Sequence, residues 1–186
     1  GVVRSERGQM MDEMVPLLRR LWAGETIDHS GTFYQMSEAS ITTLPVQQPL
    51  ELWFGGTAPS ALRRVGRIGD GYIPGLSTPE EGKEKKLQVE TAANEFNRAL
   101  DPEHFGVNLT YSRGPLSSEA RQSLLHRRPE IDPEQLVPTS PAALQETIEA
   151  WITAGYSKFL LRPIEPAANW SEELEQLASE VLGLQS

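Results

Sequence analysis

The chain has 186 residues, 38% of them hydrophobic and 7% aromatic, with 26 acidic against 17 basic side chains and a formal net charge of −9. That balance opposes tight contact with nucleic-acid backbones or an anionic membrane surface, and no apolar run approaches the roughly 20 residues a spanning helix needs. No cysteine is present, which excludes disulfides, thiolate catalysis and cysteine metal sites and fits a cytoplasmic setting.

Taken in order, Met10, Met14, Leu17, Leu18 and Leu21 recur at helical spacing, with Pro16 expected to kink the helix or restart it. Ile27 and His29, then Thr32 to Tyr34, flank Ser30-Gly31 as a hairpin. A functional role for His29 would need a second titrating or ligand group to work with it, and none is visible, so it reads as a surface residue of the hairpin. Residues 35 to 49 form a proline-stiffened connection. Leu50 to Phe54 is then a short run of large apolar residues, ended by Gly55 and Gly56, and reads as a buried strand.

Thr57 stands where a helix cap would, ahead of Ala58, Ala61, Leu62 and Val65 at helical spacing, and Gly71 to Ile73 opens a second strand. A strand, helix, strand unit within one sheet is parallel and right-handed. Two glycines at the carboxyl end of a parallel strand leave backbone amides bare beside a positive helix end, so Gly55, Gly56 and Thr57 are candidates for holding a phosphate. By itself a glycine pair equally suits a plain tight turn. Asp70 reads as a turn-bonding residue.

Ser77 or Thr78 caps the next helix, with Pro79 in its first turn. Because this neighbouring turn lies at the same end of the sheet, both hydroxyls are secondary phosphate candidates, an alternative as weighty as simple capping. The helix is expected to run to about Leu100, with Leu87, Val89, Ala92, Ala93, Phe96 and Leu100 buried and Lys83, Lys85 and Lys86 in water. Val107, Leu109 and Tyr111 mark a third strand whose other face, with Asn108 and Thr110, points inward if the sheet closes into a barrel. Gly114 to Pro138 is less regular and is the expected place for a lid or a substrate-specific insertion. Its basic cluster, His126 to Arg128, reads as a solvated loop.

Thr139 or Ser140 starts a helix buried through Leu144, Ile148, Trp151 and Ile152. Lys158 to Arg162 is a fourth strand, and Ser171 caps a last helix. Arg162, at the carboxyl end of its strand, either binds an anion or pairs with a carboxylate, the ion pair being the favoured reading. Four strands alternating with four helices after a leading helix and hairpin predict an α/β fold. It amounts to half of a TIM (β/α)8 barrel, the parallel fifth to eighth strands, in a single domain over residues 1–186. The leading helix and hairpin take residues 1–48 and the strand-helix units residues 49–186. Such a half leaves a sheet face and edges to be covered, so a homo-oligomer, at least a dimer, or a separate N-terminal half is expected.

The run WFGGTAPSALRRVGRIGDGYIP resembles a stretch of the luciferase-like flavin monooxygenases and their deazaflavin (F420) dependent relatives: a glycine pair, then RR-GR-GDG, a hydrophobic residue and proline. RSERGQMMDEMVPLLRRLWAGETIDHSGTFY is similar to the helix and hairpin before that strand, and SPAALQETIEAWITAGYSKFLLR to the family's last helix and last barrel strand. The resemblance implies part of a flavin- or F420-dependent oxidoreductase or monooxygenase acting on a small organic substrate. FMN or F420 would be held through its phosphate at Gly55, Gly56 and Thr57. It also implies that the residues nearest the reacting ring come largely from barrel strands with no counterpart here, so no catalytic residue is assigned. A non-catalytic flavin-binding module, or a truncated fragment needing a partner half, is the alternative. No metal cluster, nucleophile elbow or Walker loop is present.

Overall fold

The structure is a computed structural model and describes residues 2–184. The chain divides into two compact units, Gly1–Leu52 and Trp53–Ser186.

In the first unit, α1 (Arg7–Trp22) carries Pro16 within it and buries Val15 and Leu17. The hairpin pairs β1 (Ile27–Ser30) with β2 (Gln35–Ala39) antiparallel. The strands are therefore joined by Gly31 to Tyr34, a longer connection than the Ser30-Gly31 turn expected. The reason is Glu13 on α1, whose carboxylate accepts hydrogen bonds from the N–H groups of Thr32 (3.1 Å), Phe33 (3.1 Å) and Tyr34 (3.0 Å). His29 Nε2 lies 3.0 Å from the same carboxylate. The histidine thus has an acidic neighbour after all, one that sequence distance concealed.

The His29 hydrogen bond, opposed by burial and helped by the Tyr34 and Phe33 amides, holds the Glu13 carboxyl below its ordinary 4.5. A carboxylate depressed in the folded state adds stability above its unfolded pKa and loses it as pH falls through the folded value. Amide protection at Thr32, Phe33 and Tyr34, followed by NMR, should therefore fall below pH 4.5. Glu13→Gln should flatten that fall. Protection unchanged down to roughly pH 3, well under the normal glutamate range, would count against the clamp.

In the second unit, β3 (Trp53–Gly55) pairs parallel with β4 (Gly71–Ile73), and β5 (Gly106–Tyr111) pairs parallel with β6 (Lys158–Pro163). A parallel bridge between Tyr72 and Phe105 joins the two pairs, so the strands lie side by side in chain order. Between them run α2 (Pro59–Ile68), α3 (Pro79–Glu95), the short α4 (Ser118–Arg127) and α5 (Pro133–Leu136), and α6 (Pro141–Thr153). The last helix, α7 (Trp170–Val181), follows β6.

Side chains alternate across parallel strands, and here one face packs on the helices. Leu62, Val65, Tyr72, Val89, Phe105, Val107, Trp151 and Tyr156 form its main cluster, and Leu109, Tyr111, Leu144 and Ile148 a second. Gly66 lets α2 press directly on α3, since a Cβ there would meet the Ala92–Ala93 backbone at 2.5–2.7 Å. The opposite face carries Trp53, Asn108, Thr110, Leu160 and Arg162, with Leu160 57% exposed.

Three expectations for α3 need correction. It ends at Glu95 rather than Leu100, Leu87 is exposed, and Lys85 and Lys86 are not in water. Their side chains are only 15% and 16% exposed. Lys86 Nζ donates to the Gly155 carbonyl at 2.9 Å and lies 4.0 Å from the centre of the Phe105 ring. Each long side chain carries its charge to a partner at its end, Lys85 to Ser77 and Lys86 to Gly155. Asp70 does bond at its turn, where Arg98 donates to Gly66 O, Gly69 O and Asp70.

Candidate functional site

At the carboxyl end of β3 the chain turns through Gly55 and Gly56 into α2. Gly56 has φ +126°, a conformation that L side chains rarely adopt, and a Cβ there would stand 2.9 Å from that of Ala61. The corner therefore requires glycine sterically as well as conformationally. Beneath it, the buried Tyr72 hydroxyl donates to the Gly56 carbonyl at 2.8 Å. In a trans peptide C=O and N–H point in opposite directions, so holding the Gly56 carbonyl towards the core aims the Thr57 N–H away from it.

Thr57 is not the helix cap expected of it. The cap position falls to Ala58, which has no side-chain acceptor, and Pro59 opens the helix. Among the described residues the N–H groups of Thr57 and Ala58 have no hydrogen-bond partner. Outward amides at an uncapped helix start present partial positive charge where an anion would sit.

A cleft of about 490 Å³ opens on this corner, lined by Gly56, Thr57, Gly75, Leu76, Glu81, Lys85, Arg127 and Arg128. Ser77 and Thr78, the other candidates, stand next to it but are already engaged. Thr78 and Glu81 form a reciprocal capping box at the start of α3, and Ser77 Oγ accepts from Lys85 Nζ at 2.7 Å. Arg162 lies elsewhere. It is exposed at the end of β6, with β4 and β5 between it and β3, and makes no ion pair among the described residues, contrary to the pairing expected.

The cations in the cleft are what sequence reading missed, having set His126 to Arg128 aside as a solvated loop. Arg128 donates to the Leu76 carbonyl, to both oxygens of Glu81 and, at 2.7 Å, to Glu130, with its side chain 18% exposed. Those hydrogen bonds, Glu81 first, raise its already high pKa. Burial acts to raise Glu81, but the bonds from Arg128 and from the Thr78 N–H, with the charge of Lys85 nearby, hold its carboxyl below 4.5. Both stay charged at neutral pH.

A second cleft, of about 510 Å³, lies at the ends of β5 and β6. There Glu173 takes hydrogen bonds from Arg113 Nη2 (2.7 Å) and the Tyr111 hydroxyl (2.5 Å), while Arg113 also pairs with Glu180. Burial and the Glu173 bond push the Tyr111 hydroxyl up to about 12. These groups satisfy one another and fasten α7 onto β5. Among the described residues no group of three or more histidines and carboxylates is placed to hold a metal, and no helix is long and apolar enough to cross a membrane.

The model of the luciferase-like monooxygenase family matches residues 1–175. The chain belongs to that family. An F420-dependent glucose-6-phosphate dehydrogenase of Beutenbergia cavernae is 26% identical over 207 aligned positions, which take in 95% of this chain and 60% of that protein. One of Microbacterium testaceum is 35% identical over 85, covering 46% of this chain and 24% of the relative. This luciferase-like chain thus spans 60% or less of those curated relatives.

Among solved structures, an F420-dependent secondary alcohol dehydrogenase in complex with an F420-acetone adduct superposes with a TM-score of 0.75 at 19% identity. It covers 97% of this chain and 64% of that one. A riboflavin lyase with modified FMN and riboflavin gives 0.71 at 14%, covering 100% and 60%. At such identities the likeness establishes the fold, an α/β arrangement of the TIM-barrel luciferase-like kind.

Proposed function

We propose that this chain is the cofactor-phosphate-binding part of a flavin- or F420-dependent oxidoreductase, with the phosphoryl group on the Gly55, Gly56 and Thr57 corner. One observation carries this reading: a corner that a Cβ would fill, with its Thr57 amide turned outward by the Tyr72–Gly56 hydrogen bond. When bound, FMN or F420 supplies the redox chemistry of its ring. The chain's own part is to hold and orient the cofactor's anionic end. Ser77 and Thr78 support the neighbouring turn, and Arg162 faces the open side of the sheet, free to meet another anionic part of cofactor or substrate.

The parallel strands β3 to β6 are read as the fifth to eighth strands of a (β/α)8 barrel, with residues 1–48 leading into the strand-helix units. The open face with Trp53 and Leu160 is then an interior surface, covered either by the barrel's other strands or by a second copy of the chain. The relatives' names support FMN or F420 as cofactor and a small organic molecule as substrate.

The test is a titration of the purified chain with FMN and with F420, followed by fluorescence. Saturable binding of one of them, displaced by inorganic phosphate, is expected, in a species that light scattering sizes at two chains or more. Binding without turnover of the reduced cofactor in the presence of candidate substrates would make the chain a non-catalytic binding module. No saturable binding of either cofactor would overturn the reading.

A further inference from the structure

Lys85, Arg127 and Arg128 line the cleft beside Gly56 together with one lining carboxylate, Glu81, on a chain whose net charge is −9. The local sign is opposite to the global one. Two of the three cations are committed within the protein. Arg128 is tied to Glu81, Glu130 and the Leu76 carbonyl. Lys85 donates to Ser77 and lies 3.7 Å from Glu81. Arg127, the last residue of α4, is exposed, and its side chain makes neither a hydrogen bond nor an ion pair among the described residues.

Its neighbour's anchorage gives it a fixed place. Because Arg128 pins the end of α4 to the β4–α3 turn, the backbone that carries Arg127 is held against the cleft rather than left on a free loop. The cleft, of about 490 Å³, also has room for more than a single phosphoryl group. A planar guanidinium suits a second oxyanion, which it can grip with two parallel hydrogen bonds.

We infer that Arg127 reads a second negative group on the ligand, so that the cleft prefers a phosphoryl ligand with a further anionic group over a lone phosphate. This rests on the Gly56 corner being the phosphate site. The Thr57 and Ala58 amides take the phosphoryl oxygens, and Arg127 takes the phosphate or carboxylate beyond them.

The test uses inorganic pyrophosphate and inorganic phosphate as probes, titrated calorimetrically into the full chain, with circular dichroism to confirm each variant's fold. Wild type should bind pyrophosphate more tightly than phosphate. Arg127→Gln should weaken pyrophosphate by about tenfold, the effect of one charge-assisted contact, and flatten its salt dependence, while leaving phosphate nearly unchanged. Arg127→Lys should keep part of the preference. If Gly56→Val abolishes binding of both anions but Arg127→Gln alters neither, the corner stands and the Arg127 inference is overturned. If wild type binds neither anion, both fail together.

Discussion

Valine at Gly56 should abolish phosphate-dependent cofactor binding, with at least a tenfold rise in Kd and loss of displacement by inorganic phosphate. Two effects add. Any Cβ forces a residue at φ +126° into a conformation open to glycine, and that Cβ would meet the one of Ala61 at 2.9 Å. Strain of this kind costs on the order of 1–3 kcal/mol, so the variant should be less stable but still folded. The branched side chain then occupies the space beside the Thr57 amide where a phosphoryl oxygen would lie. Tyr72→Phe keeps the packing but frees the Gly56 carbonyl that its hydroxyl holds at 2.8 Å. It should give a smaller loss of affinity through misdirection of the Thr57 N–H. Cofactor titration of a folded Gly56→Val protein with wild-type affinity would remove the corner from the binding site.

The largest effect on stability is expected at Trp151. Its ring is 1% exposed, meets Tyr156 edge to face at 4.8 Å between centroids, and lies over Gly82, where any Cβ would run into it. The Tyr156 hydroxyl donates to the carbonyl of that same glycine at 2.9 Å. Trp151 therefore joins α6 to α3 and to the strand side of the core in one contact. Replacing a buried tryptophan by alanine removes its transfer free energy and leaves a cavity, together about 3–5 kcal/mol. Domains have about 5–15 kcal/mol in total, so Trp151→Ala should move the urea midpoint far down with the m-value unchanged. A loss below about 1 kcal/mol would show that the α3–α6 contact is not central to the core.

Much of the second unit was legible in its sequence. The four apolar runs, their parallel order and the helix starts at Thr78 and Ser140 follow from spacing and from capping residues, which act within a few positions of themselves. The Gly55-Gly56 corner was readable for the same reason. What failed were judgements about partners. Thr57 was expected as a cap, but the chain enters α2 one residue later, through Ala58. Lys83, Lys85 and Lys86 were expected on the wet side of the helix, yet the side chains of Lys85 and Lys86 are largely covered and end on fixed acceptors. His29 was expected to stand alone, and Glu13, 16 positions earlier, meets it.

Local pattern, then, determined the corner itself, because glycine pairs, strand ends and helix starts are properties of neighbouring residues. The tertiary structure decided the charge facing that corner. Arg128 and Glu81 are 47 positions apart, and no periodicity links them. Only the packing of α4 against the β4–α3 turn brings a run of arginines, solvated to all appearance in the sequence, to the wall of a cleft in an otherwise acidic chain.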